Sequence, residues 1–466
     1  MRLGIAALCS IMVSQEASAA VLHVPADYPT IALAVAAAVS GDEVLVAPGT
    51  YHETLVLNAA QDGIQIHSES GPAVTILDGS SAGVVVTMNS VGSATELIGF
   101  TITNGAGNPA GGISLVKASP KIQGNLITGN TGLAGGIDVQ GPASPAILDN
   151  ELANNHATFA GGAFAARTEA SPDVENNFIH DNRADISGGG AYFVSSGGLF
   201  TNNRVLSNTS QNGAGVYLSG LPYLTIQQCL VQSNIAKNIG GGIYVDRFSG
   251  SIVQDCQILS NTAAIAGGMY VAHSVAEIHR NLIEDNLSLN GSGGGIYLDK
   301  GSDATVDNNV VARNQATAGF GGGIEIAAST GLLTNNTVVL NQADLPGGNV
   351  YVISANVQMQ RCILSHSPGG GMKVDGSSVT VTCTDAFGNA GGNYIGIADP
   401  TGGNGNISSD PLYCDLSSLD FHLNSVSPCT AALASPCSMI GALDVGCSGP
   451  VPTQSASWGS IKAKYR

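Results

Sequence analysis

Residues 281–302 read "NLIEDNLSLNGSGGGIYLDKGS", and the fold turns on whether this stretch is a single site or one copy of a repeat. Alone, "GSGGG" could cradle a phosphate between the acidic pair Glu284 and Asp285 and the doublet Asp299 and Lys300. Its neighbours decide otherwise. "GGISLV", "GGIDVQ", "GGAFAA", "GGAYFV", "AGVYLS", "GGIYVD", "GGMYVA", "GGIEIA", "GNVYVI" and "GGMKVD" share its pattern, with successive copies 22 to 28 residues apart from Ile113 to Met372. A drifting period of that size marks stacked units whose strands are fixed in length and whose loops vary.

A second motif, approximately I-x-x-N-x-I-x-x-N, runs between the glycine clusters. Its closing residue recurs at Asn130, Asn155, Asn182, Asn208, Asn234, Asn261, Asn286, Asn314 and Asn341. A polar residue held at one place in every unit occupies one structural column, and amides stacked about 4.8 Å apart can hydrogen-bond to each other and to turn backbone. Short alternating strands, turns at fixed places and an inward amide ladder predict an all-β fold. It is a single-stranded right-handed parallel β-helix, in which each coil buries its apolar face only by stacking. Cys229, Cys256 and Cys362 replace the first Asn of the motif and inherit its inward position. Cys229 and Cys256 are neighbours there and could bridge, although in-register strands set a poor disulfide geometry.

Composition agrees with a solenoid. The 466 residues include 62 Gly, with 5% aromatic and 11% charged residues. With 16 basic against 34 acidic residues the chain carries −18, which argues against nucleic acid as a partner. It also disfavours polyanions unless calcium bridges the charges, so calcium is the one cofactor the sequence admits and a neutral or calcium-bridged glycan fits better. Residues 1–20 read as a secretory signal peptide: a basic start, an apolar run from Leu3 to Val13 and a small-residue cleavage site at Ala17–Ala19. No later segment reaches the roughly 20 apolar residues of a membrane span. The mature protein is expected outside the cell or at its surface, as a monomer.

The segment "DYPTIALAVAAAVSGDEVLVAPGTYHETLVLN" (27–58), followed by "TILDGSSAGVVV" and "GFTITNG", resembles the opening of pectin-lyase-like secreted proteins, and the repeats resemble that superfamily's parallel β-helix repeats. Within an N-terminal cap at 21–58, Thr30 is the expected N-cap of a helix of about nine residues ending at Gly41, ahead of a first strand at Val44–Ala47. The β-helix then occupies 59–408, with a Cys-rich C-terminal cap at 409–448 and a tail at 449–466 that holds the only Trp, Trp458. The closing segment is similar to those of secreted β-helix proteins. Cys414, Cys429, Cys437 and Cys447 are expected to form two disulfides there, with three connectivities open.

The register sorts residues into columns. The outward position after the first apolar residue of each copy reads Phe164, Tyr192, Tyr217, Tyr244, Tyr270, Tyr297, Glu325 and Tyr351. A ring every 4.8 Å or so nearly matches the rise of an extended sugar chain, and ring faces suit the apolar faces of sugars; rings on adjacent strands also stack on each other. Beside this row, three consecutive coils place Asp246 and Arg247, then His273, then Asp299 and Lys300. Asp246 and Asp299, two coils or about 9.6 Å apart, could act as a glycosidase pair. Alternatively, Lys300 or Arg247 could abstract the proton alpha to a uronate carboxylate while the two Asp residues hold calcium. A surface lattice of opposite charges gives the same pattern with no chemistry. Three functions stay open: polysaccharide binding along the Tyr row, a lyase or glycoside hydrolase acting at Asp246, Arg247, His273, Asp299 and Lys300, or a structural adhesin. The superfamily signatures "DPHE", "WIDH" and "DFIFG" are missing.

Overall fold

The computed structural model describes residues 19–220, 223–247 and 249–449. The expected signal peptide up to Ser18 and the Trp458 tail lie outside them. The chain winds as a parallel solenoid whose coils visit four sheets in turn. In chain order these are sheet I with 15 strands (Val21–Val24 to Ser378–Thr382), sheet II with 14 (Gly49–His52 to Asp385–Phe387), sheet III with ten (Ala106–Ala110 to Gln342–Ala343) and sheet IV with 14 (Leu55–Leu57 to Tyr394–Ile395). Strands pair only with their counterparts one coil away. Inward positions stack Val, Ile and Leu into one continuous core, such as Ile258, Ile283 and Val311 from successive coils.

The corners explain the Asn motif. Between sheets II and III one residue adopts positive φ, for example Ser207, Ser233, Ser260 and Asp285 at 54° to 57°, and the next is the inward Asn. Asn234 shows the rule: its N–H donates to Asn261 Oδ1 at 3.0 Å, its Nδ2 to the same oxygen at 2.9 Å and to the Val205 carbonyl at 2.9 Å. A buried amide thus satisfies the backbone that each corner would otherwise leave unpaired. The corner from sheet I to sheet II carries a second ladder of the same construction, for example Asn281 to Asn309. Cys229 and Cys256 sit in it as free thiols; the Cys229 N–H donates to Cys256 Sγ at 3.4 Å.

The first strand is Val21–Val24, ahead of the expected one, and pairs with Glu43–Val46. The helix runs Ile31–Ala37, with Thr30 Oγ1 accepting from the Leu33 N–H at 3.2 Å; it ends at Ala38, short of Gly41, and buries Ile31, Ala34 and Val35. No helix among the described residues is long and apolar enough to cross a membrane.

At the other end the Cys-rich segment turns back along the outside of the solenoid. Its three strands, Tyr413–Asp415, Asp420–Asn424 and Val445–Cys447, belong to a unit that packs Tyr413, Phe421, Leu423 and Ile440 against Val310, Ala312, Val339 and Ile363, which point outward from sheet II. The Gly441 N–H donates to the Arg361 carbonyl at 2.8 Å and the Ala442 N–H to Thr337 Oγ1 at 3.0 Å. The disulfides are Cys383–Cys437 and Cys414–Cys447, which corrects the expected set of four. Cys383 occupies a positive-φ corner (51°), so its thiol points away from the core and meets the returning segment. Cys429 stays a buried thiol, donating to Asp385 Oδ2 at 3.2 Å.

Candidate functional site

The outer face of sheet IV carries the tyrosines in strict register: Tyr192, Tyr217, Tyr244, Tyr270 and Tyr297 pair in sequence, then Glu325 and Tyr351. Phe164 does not join them. Its partners are Ile137 and Ala191, both inward, and Phe164 is itself fully buried; Ala165 takes the outward place. One extra residue after the glycines of "GGAFAA" shifts that coil by one position, which flips every side chain.

The rings use their faces on one another. Centroids stand 5.3 Å apart at 16° for Tyr192 and Tyr217, 4.8 Å at 14° for Tyr217 and Tyr244, 5.1 Å at 36° for Tyr244 and Tyr270, and 5.5 Å at 79° for Tyr270 and Tyr297. A sugar approaching this face therefore meets ring edges and hydroxyls, not the open π-faces that the sequence suggested. Glycines in the corner from sheet III bring that arm against the base of the rings: a Cβ at Gly213 would stand 2.9 Å from Tyr217 Cβ and 3.0 Å from Tyr244 Cβ. Tyr270 is 1% exposed, packed with Ala266 and Ala272. Burial pushes all five phenols above the ordinary tyrosine range, so they stay protonated and serve as donors.

Beyond the row, the chain turns from sheet IV towards sheet I, and Arg247, His273 and Lys300 occupy the same positive-φ corner on three coils, at 57°, 50° and 55°. The residue before each corner supplies the carboxylates. Asp246 accepts the Arg247 N–H at 2.8 Å and lies 3.2 Å from His273 Nδ1, with Arg247 Nε at 3.6 Å. Asp299 accepts the Tyr270 hydroxyl at 2.8 Å and the Lys300 N–H at 2.8 Å. Lys300 Nζ stands 5.8 Å from the Tyr270 ring centroid. The five side chains expected to carry chemistry are thus brought to one corner, with charges of opposite sign already interleaved. Asp246 is 9% exposed, more enclosed than an outward position implies.

Glu325 ends the row in a different state. It is 4% exposed, its Oε2 has no hydrogen-bond partner, and burial pushes its carboxyl up to about 8. Two groups in these columns escaped the sequence reading. At one end, buried Asp138 accepts from Arg167 and Gln140 Nε2; at the other, Asp375 accepts from the Tyr351 hydroxyl at 3.0 Å and Lys373 Nζ at 2.9 Å. Aligning "GGIDVQ" with "GGMKVD" by strand register would have found both. No group of three or more His, Cys, Asp or Glu side chains among the described residues is arranged to hold a metal ion.

The profile of the family described as "Right handed beta helix region" matches residues 111–281 and 274–345. A search of curated proteins returns no match. Among solved structures, the chain is similar to pectate lyase Pel9A over 89% of its own length and 91% of that chain, at 12% identity and TM-score 0.30. A PL6 alginate lyase in complex with a trisaccharide aligns over 79% and 82%, at 12% identity and TM-score 0.33. For ORF18 of Geobacillus virus E2 the shares are 81% and 62%, at 12% identity and TM-score 0.27, so this chain spans less than two thirds of that protein. These likenesses concern the fold alone.

Proposed function

The chain belongs to the right-handed β-helix family, and from that premise we propose that it is an extracellular protein that binds a polysaccharide along the outer face of sheet IV. The observation that carries this reading is the alignment of two ladders: phenols repeating every 4.8 to 5.5 Å, and beside them the polar corner of Asp246, Arg247, His273, Asp299 and Lys300 on three consecutive coils. Tyr192, Tyr217, Tyr244 and Tyr297 are part-exposed and offer donors spaced to suit the hydroxyls of an extended sugar chain lying parallel to the solenoid axis, while the enclosed Tyr270 gives its hydroxyl to Asp299. The two disulfides favour an oxidising compartment. The helix Ile31–Ala37 serves as the cap of the first coil, and the protein acts as a monomer.

The test is retention of the purified protein on a panel of neutral and acidic polysaccharides, with calcium and with chelator. Replacing Arg247 and His273 by Ala, both at the exposed corner, should remove retention and leave the melting temperature unchanged; unaltered retention would refute the reading. A catalytic reading draws on one further observation, the His273–Asp246 contact next to Asp299 and Lys300. Elimination creates a double bond that absorbs in the ultraviolet, so growth of that absorbance on a uronate polymer, lost in Asp299→Asn, would identify a lyase. Asn keeps an acceptor for the Tyr270 hydroxyl, which separates chemistry from folding.

A further inference from the structure

We propose that Tyr223, which the row does not include, is the stacking platform for a neutral pyranose unit of the bound glycan, an inference that rests on the glycan-binding reading above. Tyr223 is 67% exposed, more than any other large apolar side chain among the described residues. Its ring lies across Gly250 one coil on. A Cβ built at Gly250 would collide with Cε1 and Cδ1 and stand 2.8 Å from Cζ; the three nearest atoms all belong to the Tyr223 ring. The absent side chain at Gly250 therefore lets the ring rest on backbone while most of its surface remains in water. That is the open aromatic surface which the stacked tyrosines of sheet IV cannot offer.

The surroundings suit a sugar. Gly250 pairs with Val275, 59% exposed, so the platform continues as an apolar step onto the next coil. Arg247 lies three residues before Gly250, within about 11 Å of extended chain, and His273 two residues before Val275; their side chains are 76% and 49% exposed. An apolar step bordered by hydrogen-bond donors matches a pyranose, which presents C–H groups on one face and hydroxyls around its rim. Asp246 holds this corner together, 3.2 Å from His273 Nδ1 and 3.6 Å from Arg247 Nε. The chain's net charge of −18 disfavours a polyanionic partner, which points to a neutral unit.

Binding is measured by native affinity electrophoresis in gels containing xylan, galactomannan, soluble β-glucan, starch or polygalacturonate. Expected is retention by at least one neutral polymer, weakened about tenfold in Tyr223→Ala and preserved in Tyr223→Phe. Gly250→Ala should weaken retention in the same direction with the tyrosine still present, because the ring is displaced. Melting should not move, since the ring is mostly exposed. Equal retention of wild type and Tyr223→Ala overturns the platform and leaves the glycan-binding reading standing. Retention by polygalacturonate alone overturns the neutral sugar. If no polymer retains the wild type, platform and reading fall together.

Discussion

At the scale of single residues, Glu325 shows most sharply what burial does. Its carboxyl, 4% exposed with one oxygen unpartnered, is pushed up to about 8 by desolvation, so the folded protein holds a proton there that the unfolded chain releases near its ordinary value of 4.5. The stability this proton confers is complete below about pH 4.5 and is lost as pH rises through about 8, with a slope of at most roughly 1.4 kcal/mol per pH unit. Urea denaturation between pH 5 and 8 should show the midpoint falling, and Glu325→Gln should flatten that slope. The amide ladder makes a second prediction. Asn261→Ala strips the Asn234 N–H of its acceptor and the Val231 carbonyl of a donor, both buried, at a cost of about 2 to 4 kcal/mol. Asn281→Cys, which extends the existing Cys229–Cys256 run, should cost less in the same experiment.

At the scale of elements, the returning C-terminal segment departs most from the expectation of a cap. The Cys383–Cys437 bond ties it to a corner of the last coils across 54 residues of chain. In the loop-entropy account a closure of that length stabilises by about 4 kcal/mol. Cys383→Ser should therefore lower the denaturation midpoint and open residues 413–447 to protease, whereas Cys429→Ser leaves both disulfides intact. Thiol titration of the denatured, unreduced protein should count, among the described residues, Cys229, Cys256, Cys362 and Cys429. The pairing was hidden in the sequence because Cys383 stands outside the Cys-rich stretch, in a coil whose corner geometry is invisible without register. The amide ladder was readable because one polar residue type recurs at one spacing. Columns of sheet IV were readable wherever the strand's first inward residue was also the first apolar one after the glycines, and failed at Phe164, where Ala163 intervenes. Register also told which residues share a face, but the orientation of rings about their own bonds follows from packing: hence the stacked tyrosines, the enclosed Tyr270, and the exposed Tyr223 that no repeat announces.

At the scale of the whole molecule, a solenoid is close to one-dimensional, and each coil contacts chiefly its two neighbours. Asn234 and Asn261 hold equivalent places 27 residues apart, and Ile235 pairs with Thr262. Deleting residues 235–261 and joining Asn234 to Thr262 should leave a folded solenoid with unchanged circular dichroism and a melting temperature lower by a few degrees. The same deletion removes Tyr244, Asp246 and Arg247 and should abolish glycan retention. Removing only half a coil breaks the register and should unfold the chain. The outer wall on sheet II has a different bearing, on the order of biosynthesis. Coils can close one after another as the chain emerges, but Asn335 waits for Met439, 104 residues later, and Val310, Val339 and Ile363 keep their apolar surface in water until then. A chain halted before residue 413 would be a well-wound solenoid with a sticky flank, so a covered flank certifies that the segment 413–447 has been made.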